Sequence, residues 1–198
     1  MIDLADLPHQ VATPHLITNG SELTPYLGGV GQQLNRLGTR FMIEYTIPPM
    51  RIEADGRRWI SRLMRAKREG VAMRCPQVDF NVGTPGATLV DGAVSGGTSL
   101  PITGGTPRYP VKEGQWLSVR RGGSGRSYLY NVTGQTILDA SGEGTIGIFP
   151  MLRSALVDGD SVNFGRPVIE GSIDGDDLSW TLEAIRTVGL TFTVRERA

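Results

Sequence analysis

Residue types that could perform catalysis are few and poorly placed in this chain. The two histidines, His9 and His15, lie near the start, with no His-x-x-x-His pair and no second cluster of ligands. A zinc site or a general base needs further groups held rigidly beside the imidazole. The single cysteine, Cys75, precedes a proline and can form neither an intrachain disulfide nor a cysteine-based metal cluster. We therefore expect no enzyme activity and no metal or other cofactor.

Two further segments carry weak signals for ligand chemistry. Residues 122–125 are rich in glycine, but no lysine and Ser/Thr follow in the order of a phosphate-binding loop, so a hairpin tip is the better interpretation. Residues 174–177 are acidic but lack the spaced ligands and the terminal Glu of a calcium loop, which favours an acidic turn. A carboxylate pair for glycoside hydrolysis can be formed by any fold, and nothing in the sequence singles out such a pair.

The best-marked element is an amphipathic helix predicted at about residues 56–69. Its expected buried face is apolar and consists of Trp59, Ile60, Leu63, Met64 and Ala66. Its expected outer face is cationic and consists of Arg58, Arg62, Arg65 and Arg68. Asp55 is predicted as the N-cap and Gly70 as a left-handed C-cap residue.

The charges are balanced overall but unevenly placed along the chain. Twenty basic and twenty acidic residues give a formal net charge of zero, which argues against bulk attraction to nucleic acid or to an anionic membrane. No recognition-helix motif is present, so we expect no sequence-specific nucleic acid partner. Residues 170–183 hold five acids and no base. We predict that the arginine face of the helix and this acidic block take part in subunit contacts, and the acidic residues concerned are Asp174, Asp176 and Asp177.

The elements around the helix predict a mainly β fold. Apolar and polar residues alternate over residues 41–47, which is typical of a strand with one face on a core, and Pro48 and Pro49 are predicted to end that strand. No apolar run reaches the roughly 18 to 20 residues of a membrane-spanning helix, so no membrane span is expected.

A shift in composition divides the chain into two predicted domains. Glycine-rich turns separate short strands from about residue 83 to residue 165, the pattern of hairpins in a small barrel or sandwich. We predict a β-sandwich belt domain with one α-helix, made of residues 1–84 and 166–198, that carries an inserted β-domain of residues 85–165. Four aromatic residues of the insert could form a sugar-stacking surface, and they are Tyr109, Trp116, Tyr128 and Tyr130. Because aromatic residues of the insert alternate with apolar residues, we expect some of the four to lie in the core.

The order of the motifs resembles a known group of proteins. The segments GGVGQQLNRLGTRFMIEYTIPPM, GRRWISRLMRAKREG, VKEGQWLSV, YLYNVTG and GTIGIFPMLRSALVDGDSV occur in that order and cover most of the chain. This layout is similar to that of distal tail proteins from long-tailed bacteriophages and prophages. In those proteins a strand and proline corner precede a short helix with a tryptophan, and a glycine-rich β-insert follows.

The resemblance implies a structural function in the virion. It implies a homo-oligomeric ring, a hexamer in that group, at the distal end of the tail tube, with the tail tube protein and the tail hub or tip proteins as partners. The expected location is the tail tip of a virion assembled in the cytoplasm of a bacterial host. The alternative is a carbohydrate-binding module of the tail tip used for host adhesion, with the four aromatic residues of the insert as glycan contacts.

Overall fold

The computed structural model describes residues 1–8, 11–26, 28–34, 38–182 and 187–197, and these fold mainly into β-structure. The one α-helix of the described residues, α1, spans Arg57–Glu69. In chain order the strands are β1 (Ile2–Asp3), β2 (Val11–Ile17), β3 (Ser21–Leu23), β4 (Gln32–Leu34), β5 (Arg40–Arg51), β6 (Val71–Arg74), β7 (Gly86–Val90), β8 (Ser99–Gly105), β9 (Pro110–Val111), β10 (Trp116–Arg120), β11 (Ser127–Val132), β12 (Thr136–Ile137), β13 (Gly144–Phe149), β14 (Ser161–Asn163), β15 (Val168–Ile173), β16 (Trp180–Leu182) and β17 (Thr187–Glu196).

A seven-stranded sheet forms the first part of the fold. Its strands lie in the order β1-β6-β15-β17-β5-β2, and β16 also pairs with β17. Neighbouring strands are antiparallel, except that β1 runs parallel to β6. The alternation predicted for residues 41–47 is confirmed, because the apolar members of this run are buried. They lie in one hydrophobic cluster with side chains of β6, β15 and β17.

The prediction that Pro48 and Pro49 end their strand is wrong. β5 continues to Arg51 and pairs with β17 on both sides of the two prolines. Proline has no N–H to donate and is normally confined to strand edges or bulges. The register of β17 shifts between Val188 and Leu190, opposite the prolines. This irregularity lets the long strand pass through a proline pair without losing its place in the sheet.

The helix packs on the sheet through a narrow stripe. Trp59, Leu63 and Ala66 are buried in the same cluster as the sheet residues, and Ile60 is half-buried against it. Met64 was predicted for the buried face but is 48% exposed. The stripe therefore follows the i, i+4, i+7 spacing of one face and leaves the neighbouring position in solvent.

The two ends of the helix differ in how well they follow the predicted caps. Asp55 does not cap the helix, because a π-helical turn over Ile52–Gly56 leads into it and no side chain caps its first turn. The Asp55 carboxylate instead pairs with Arg58 at 3.1 Å. Gly70 follows the last turn with a φ of +87°, and its N–H donates to the Ala66 carbonyl at 2.8 Å. The helix therefore ends at the predicted glycine with a positive φ, but a ψ of 164° places Gly70 outside the left-handed helical region that was predicted.

A closed six-stranded barrel forms the second part of the fold. Its strands lie in the order β10-β11-β13-β8-β7-β14, all neighbours are antiparallel, and β14 closes onto β10. Leu100, Leu117 and Ile146 belong to a hydrophobic cluster separate from that of the sheet. The predicted fold class, mainly β with one helix and a small barrel, is confirmed. All barrel strands come from residues 86–163, whereas the sheet takes its strands from residues 2–74 and 168–196.

Candidate interaction surfaces

The outward face of α1 carries exposed arginines with local partners. The guanidinium carbons of Arg58 and Arg62 each lie 5.0 Å from the centre of the Trp59 ring. Arg65 pairs with Glu69 at 3.3 Å, one turn away on the same helix. Such exposed pairs contribute little to stability. The four predicted arginines, Arg68 included, therefore form a cationic surface in contact with solvent.

The acidic turn after β15 is reached by only one basic side chain of the helix in the described residues. Lys67 donates its ammonium protons to the carbonyl oxygens of Ile173, at 3.5 Å, and of Gly175. Asp174 pairs with Arg195 of β17 at 3.1 Å. Asp176 and Asp177 are exposed. Within the described chain the predicted arginines and aspartates are not joined by an ion pair, so their contact between subunits stays a prediction.

The four aromatic residues proposed for glycan contact serve mainly as packing residues. Tyr130 is fully buried and Tyr109 is 7% exposed, so neither has a free face on which a sugar ring could stack. Trp116 is half-buried and meets the ring of Phe41 edge to face, with the ring centres 4.8 Å apart. Tyr128 is half-buried below the Arg153 guanidinium, which lies 5.4 Å from its ring centre.

The carboxylate of Glu196 holds the sheet and the barrel together. It lies at the end of β17, is 2% exposed, and accepts three hydrogen bonds. The donors are the N–H of Phe41 in β5 at 3.1 Å, the N–H of Leu129 in β11 at 2.7 Å and the Arg153 guanidinium at 2.5 Å. A buried carboxylate without such partners would be strongly destabilising. One side chain therefore fixes both parts of the fold.

We call the contact between the sheet and the barrel at Glu196 the joint. A second carboxylate, that of Glu170, extends the joint along β11. That strand pairs with β13 at Asn131 and Val132, beyond which its edge turns towards the sheet. There the N–H of Ser127 donates to the Glu170 carboxylate of β15 at 2.7 Å. The side chain of Leu129, on the same strand, packs into the hydrophobic cluster of the sheet. Side-chain acceptors thus replace a missing strand partner at this edge.

The residues of the joint carry a sequence signal that can be recognised. Residues 188, 190, 192 and 194 of β17 are apolar and buried, and Glu196 continues their period of two. An acid at an inward position requires a buried partner, which is Arg153, whose side chain is 5% exposed. Nothing in the sequence pairs these two residues, because they come from different parts of the fold.

The remaining candidates for chemistry are the cysteine and the two histidines. Burial first, and then the charge of Glu196, raise the pKa of the Cys75 thiol to about 12, so the group stays protonated near neutral pH. His15 is exposed on β2, and His9 lies outside the described residues. No three or more His, Cys, Asp or Glu side chains gather into a metal-binding group within the described ranges.

None of the helices in the described part of the chain has the length and apolar character needed to cross a bilayer. No protein family matches the sequence, and no curated protein matches it either.

Proposed function

We propose that this chain is a structural protein of a phage tail, which forms a homo-oligomeric ring at the distal end of the tail tube and connects the tube to the tail tip or baseplate. The resemblance of its motifs to distal tail proteins supports this assignment. So does one structural observation, which is that the described part of residues 11–34 carries several exposed apolar side chains. We call the described part of this segment the arm.

The arm joins the sheet through β2, which pairs with β5, and it carries several exposed apolar side chains. β2 is the last strand in the order of the sheet, so its outer edge is open among the described residues. β3 and β4 pair with each other as a separate two-stranded sheet. The exposed fractions are 51% for Val11, 46% for Leu16, 53% for Leu23, 101% for Tyr26 and 95% for Val30. Exposed apolar groups gathered in one segment, beside an open strand edge, are typical of an interaction site.

The charged surfaces make a second copy of the chain a suitable occupant. The cationic face of α1 and the exposed Asp176 and Asp177 lie on different elements of the same chain. Complementary patches at separate places produce a head-to-tail contact, and such contacts close into a ring when the rotation between subunits allows it. The arm would then add apolar area to an interface in which charge sets the register.

The arm is tested by removing its apolar side chains. We expect the double variant Tyr26→Ser, Val30→Ser to keep the melting temperature of the monomer, because both side chains are exposed, and to lose assembly. Sedimentation velocity and negative-stain microscopy, with the tail tube protein added where the chain alone stays monomeric, measure the result. Val78→Ser is the matched control, since Val78 is 86% exposed outside the arm. Unchanged assembly of the double variant would contradict the role of the arm.

The charged contact is tested by reversing each side separately. One variant carries Arg62→Glu and Arg68→Glu, and the other carries Asp176→Arg and Asp177→Arg. Each alone should fail to assemble, because like charges then meet at every interface. An equimolar mixture should assemble again, because subunits that alternate around the ring restore opposite charges at each contact.

The same assay separates failure of the contact from failure of the ring. The control Arg126→Glu, Arg166→Glu changes two exposed arginines away from α1 and should assemble as the unmodified protein does. Rings formed by both reversed variants alone would exclude this charge contact while leaving the ring intact. An unmodified protein that stays monomeric with the tail tube and hub proteins present would overturn the proposed function.

A further inference from the structure

A cleft of about 420 Å³ lies where the segment after β6 passes the turn before β9. Its polar lining contains two cationic side chains and, among the described residues, no carboxylate. The residues that matter are Phe80, Asn81, Thr84, Thr106, Arg108 and Lys112. The geometry points to a binding site for a sugar phosphate, with the phosphate between Arg108 and Lys112 and the sugar hydroxyls against the neutral polar side chains. This inference is independent of the proposed ring.

The walls of the cleft are held in place by a buried amide. Gln115 is 1% exposed, and its side-chain N–H donates to the Tyr109 hydroxyl at 3.0 Å. That hydroxyl donates in turn to the carbonyl of Val82 at 2.6 Å, and this hydrogen bond holds the segment between β6 and β7 against the barrel. The backbone N–H of Lys112 donates to the amide oxygen of Gln115 at 3.2 Å. The cleft is therefore preformed, which lowers the entropic cost of binding a ligand.

Arg108 occupies a backbone conformation that arginine rarely adopts. Its φ is +58°, at the third position of a turn in which the N–H of Tyr109 donates to the carbonyl of Thr106 at 3.0 Å. Pro107 stands at the second position, and turns of this kind favour glycine or asparagine at the third. An arginine there costs stability without adding to the packing. Strain of this kind at the mouth of a cleft suggests a function for the side chain.

The second cation is also positioned by its surroundings. The ammonium of Lys112 lies 5.3 Å from the centre of the Phe80 ring, within the range of a cation–π contact. A planar guanidinium can bind phosphate oxygens in a bidentate way, and an ammonium supplies a compact charge. The hydroxyls of Thr84 and Thr106 and the amide of Asn81 offer hydrogen bonds to neutral polar groups beside that phosphate.

Calorimetric titration of the full chain with glucose 6-phosphate, glucose and inorganic phosphate tests this site. Glucose 6-phosphate should bind at least about tenfold more tightly than glucose or inorganic phosphate, because it engages both halves of the cleft. Arg108→Asn and Lys112→Gln should each weaken its binding by about tenfold or more. The matched control Arg126→Asn, at another hairpin of the barrel, should bind as the unmodified protein does.

Thermal unfolding distinguishes lost binding from lost structure. Arg108→Asn should melt at the same temperature as the unmodified protein or higher, because asparagine tolerates a positive φ. Equal binding of glucose and glucose 6-phosphate, or no saturation by any of the three probes at millimolar concentration, would overturn the site. Inorganic phosphate that binds as tightly as glucose 6-phosphate would overturn the assignment of the ligand as a sugar phosphate.

Discussion

At the joint between the sheet and the barrel, strand N–H groups donate to the carboxylates of Glu196 and Glu170, and Leu129 of the barrel packs into the hydrophobic cluster of the sheet. In the described part of the arm, several apolar side chains and the outer edge of β2 face solvent. Leu129 of the joint is fully buried, whereas Leu23 of the arm is 53% exposed. Both leucines lie on strands, so secondary structure does not explain the difference. The difference is that the joint is buried by contacts within one chain, whereas the exposed side chains of the arm have no such covering in the described part of the chain.

The largest effect is expected from Glu196→Gln, which removes the charge at the centre of the joint. The guanidinium of Arg153 would stay buried without its counter-charge, and breaking such a pair costs about 3–5 kcal/mol of unfolding free energy. Urea denaturation followed by far-ultraviolet circular dichroism measures the loss. Because the hydrogen bonds that Leu129 and Arg153 donate to the Glu196 carboxylate join the barrel to the sheet, the cooperativity of unfolding should fall as well.

Two further variants show whether the charge pair itself causes this loss. Glu44→Gln changes an exposed acid on β5 and should alter the unfolding free energy by less than about 0.5 kcal/mol. Replacing both partners, as Arg153→Met with Glu196→Gln, should cost less than Glu196→Gln alone, because no buried charge is left without a partner and both variants keep the same amide oxygen as an acceptor for the backbone N–H groups. A Glu196→Gln loss no larger than that of Glu44→Gln would show that the joint does not stabilise the fold.

A smaller effect is expected from the same substitution made once in each region. Leu129→Ala removes a buried side chain at the joint and should lower the unfolding free energy by about 2–5 kcal/mol. Leu23→Ala in the arm should lower it by less than about 0.5 kcal/mol, because the side chain is already hydrated. Equal losses in the two variants would contradict the comparison and would mean that the arm is packed in the free protein.

The sequence predicts well the features that lie within one helix or strand, such as which of its side chains are buried. The alternation over residues 41–47 correctly predicted that one face of β5 lies in the core. The helical spacing of the apolar residues in α1 correctly predicted that Trp59 and Leu63 are buried. Glycine-rich turns predicted the hairpins of the barrel. Each of these rules depends on residues that are close together in the chain, either through the period of one helix or strand or through the turn between two strands.

Contacts between distant elements were not predictable in the same way. Glu196 stands at an inward position of β17, but its partners Phe41, Leu129 and Arg153 come from three other parts of the chain. Pro48 and Pro49 were wrongly predicted to end β5, because the register shift that accommodates them is on β17. The cleft beside Arg108 depends on a backbone angle that no local pattern of charge or hydropathy indicates.

The position of β17 in the chain also sets an order for folding during synthesis. The barrel strands are contiguous in sequence and pair only with each other, so the barrel can close before β17 has been made. β5 is synthesised early, whereas β17, its partner over most of its length, is synthesised late. Until β17 pairs with it, β5 exposes a long strand edge. The carboxylate that fastens the barrel arrives with that same late strand. A chain truncated before β17 would therefore carry a closed barrel attached to an unfinished sheet.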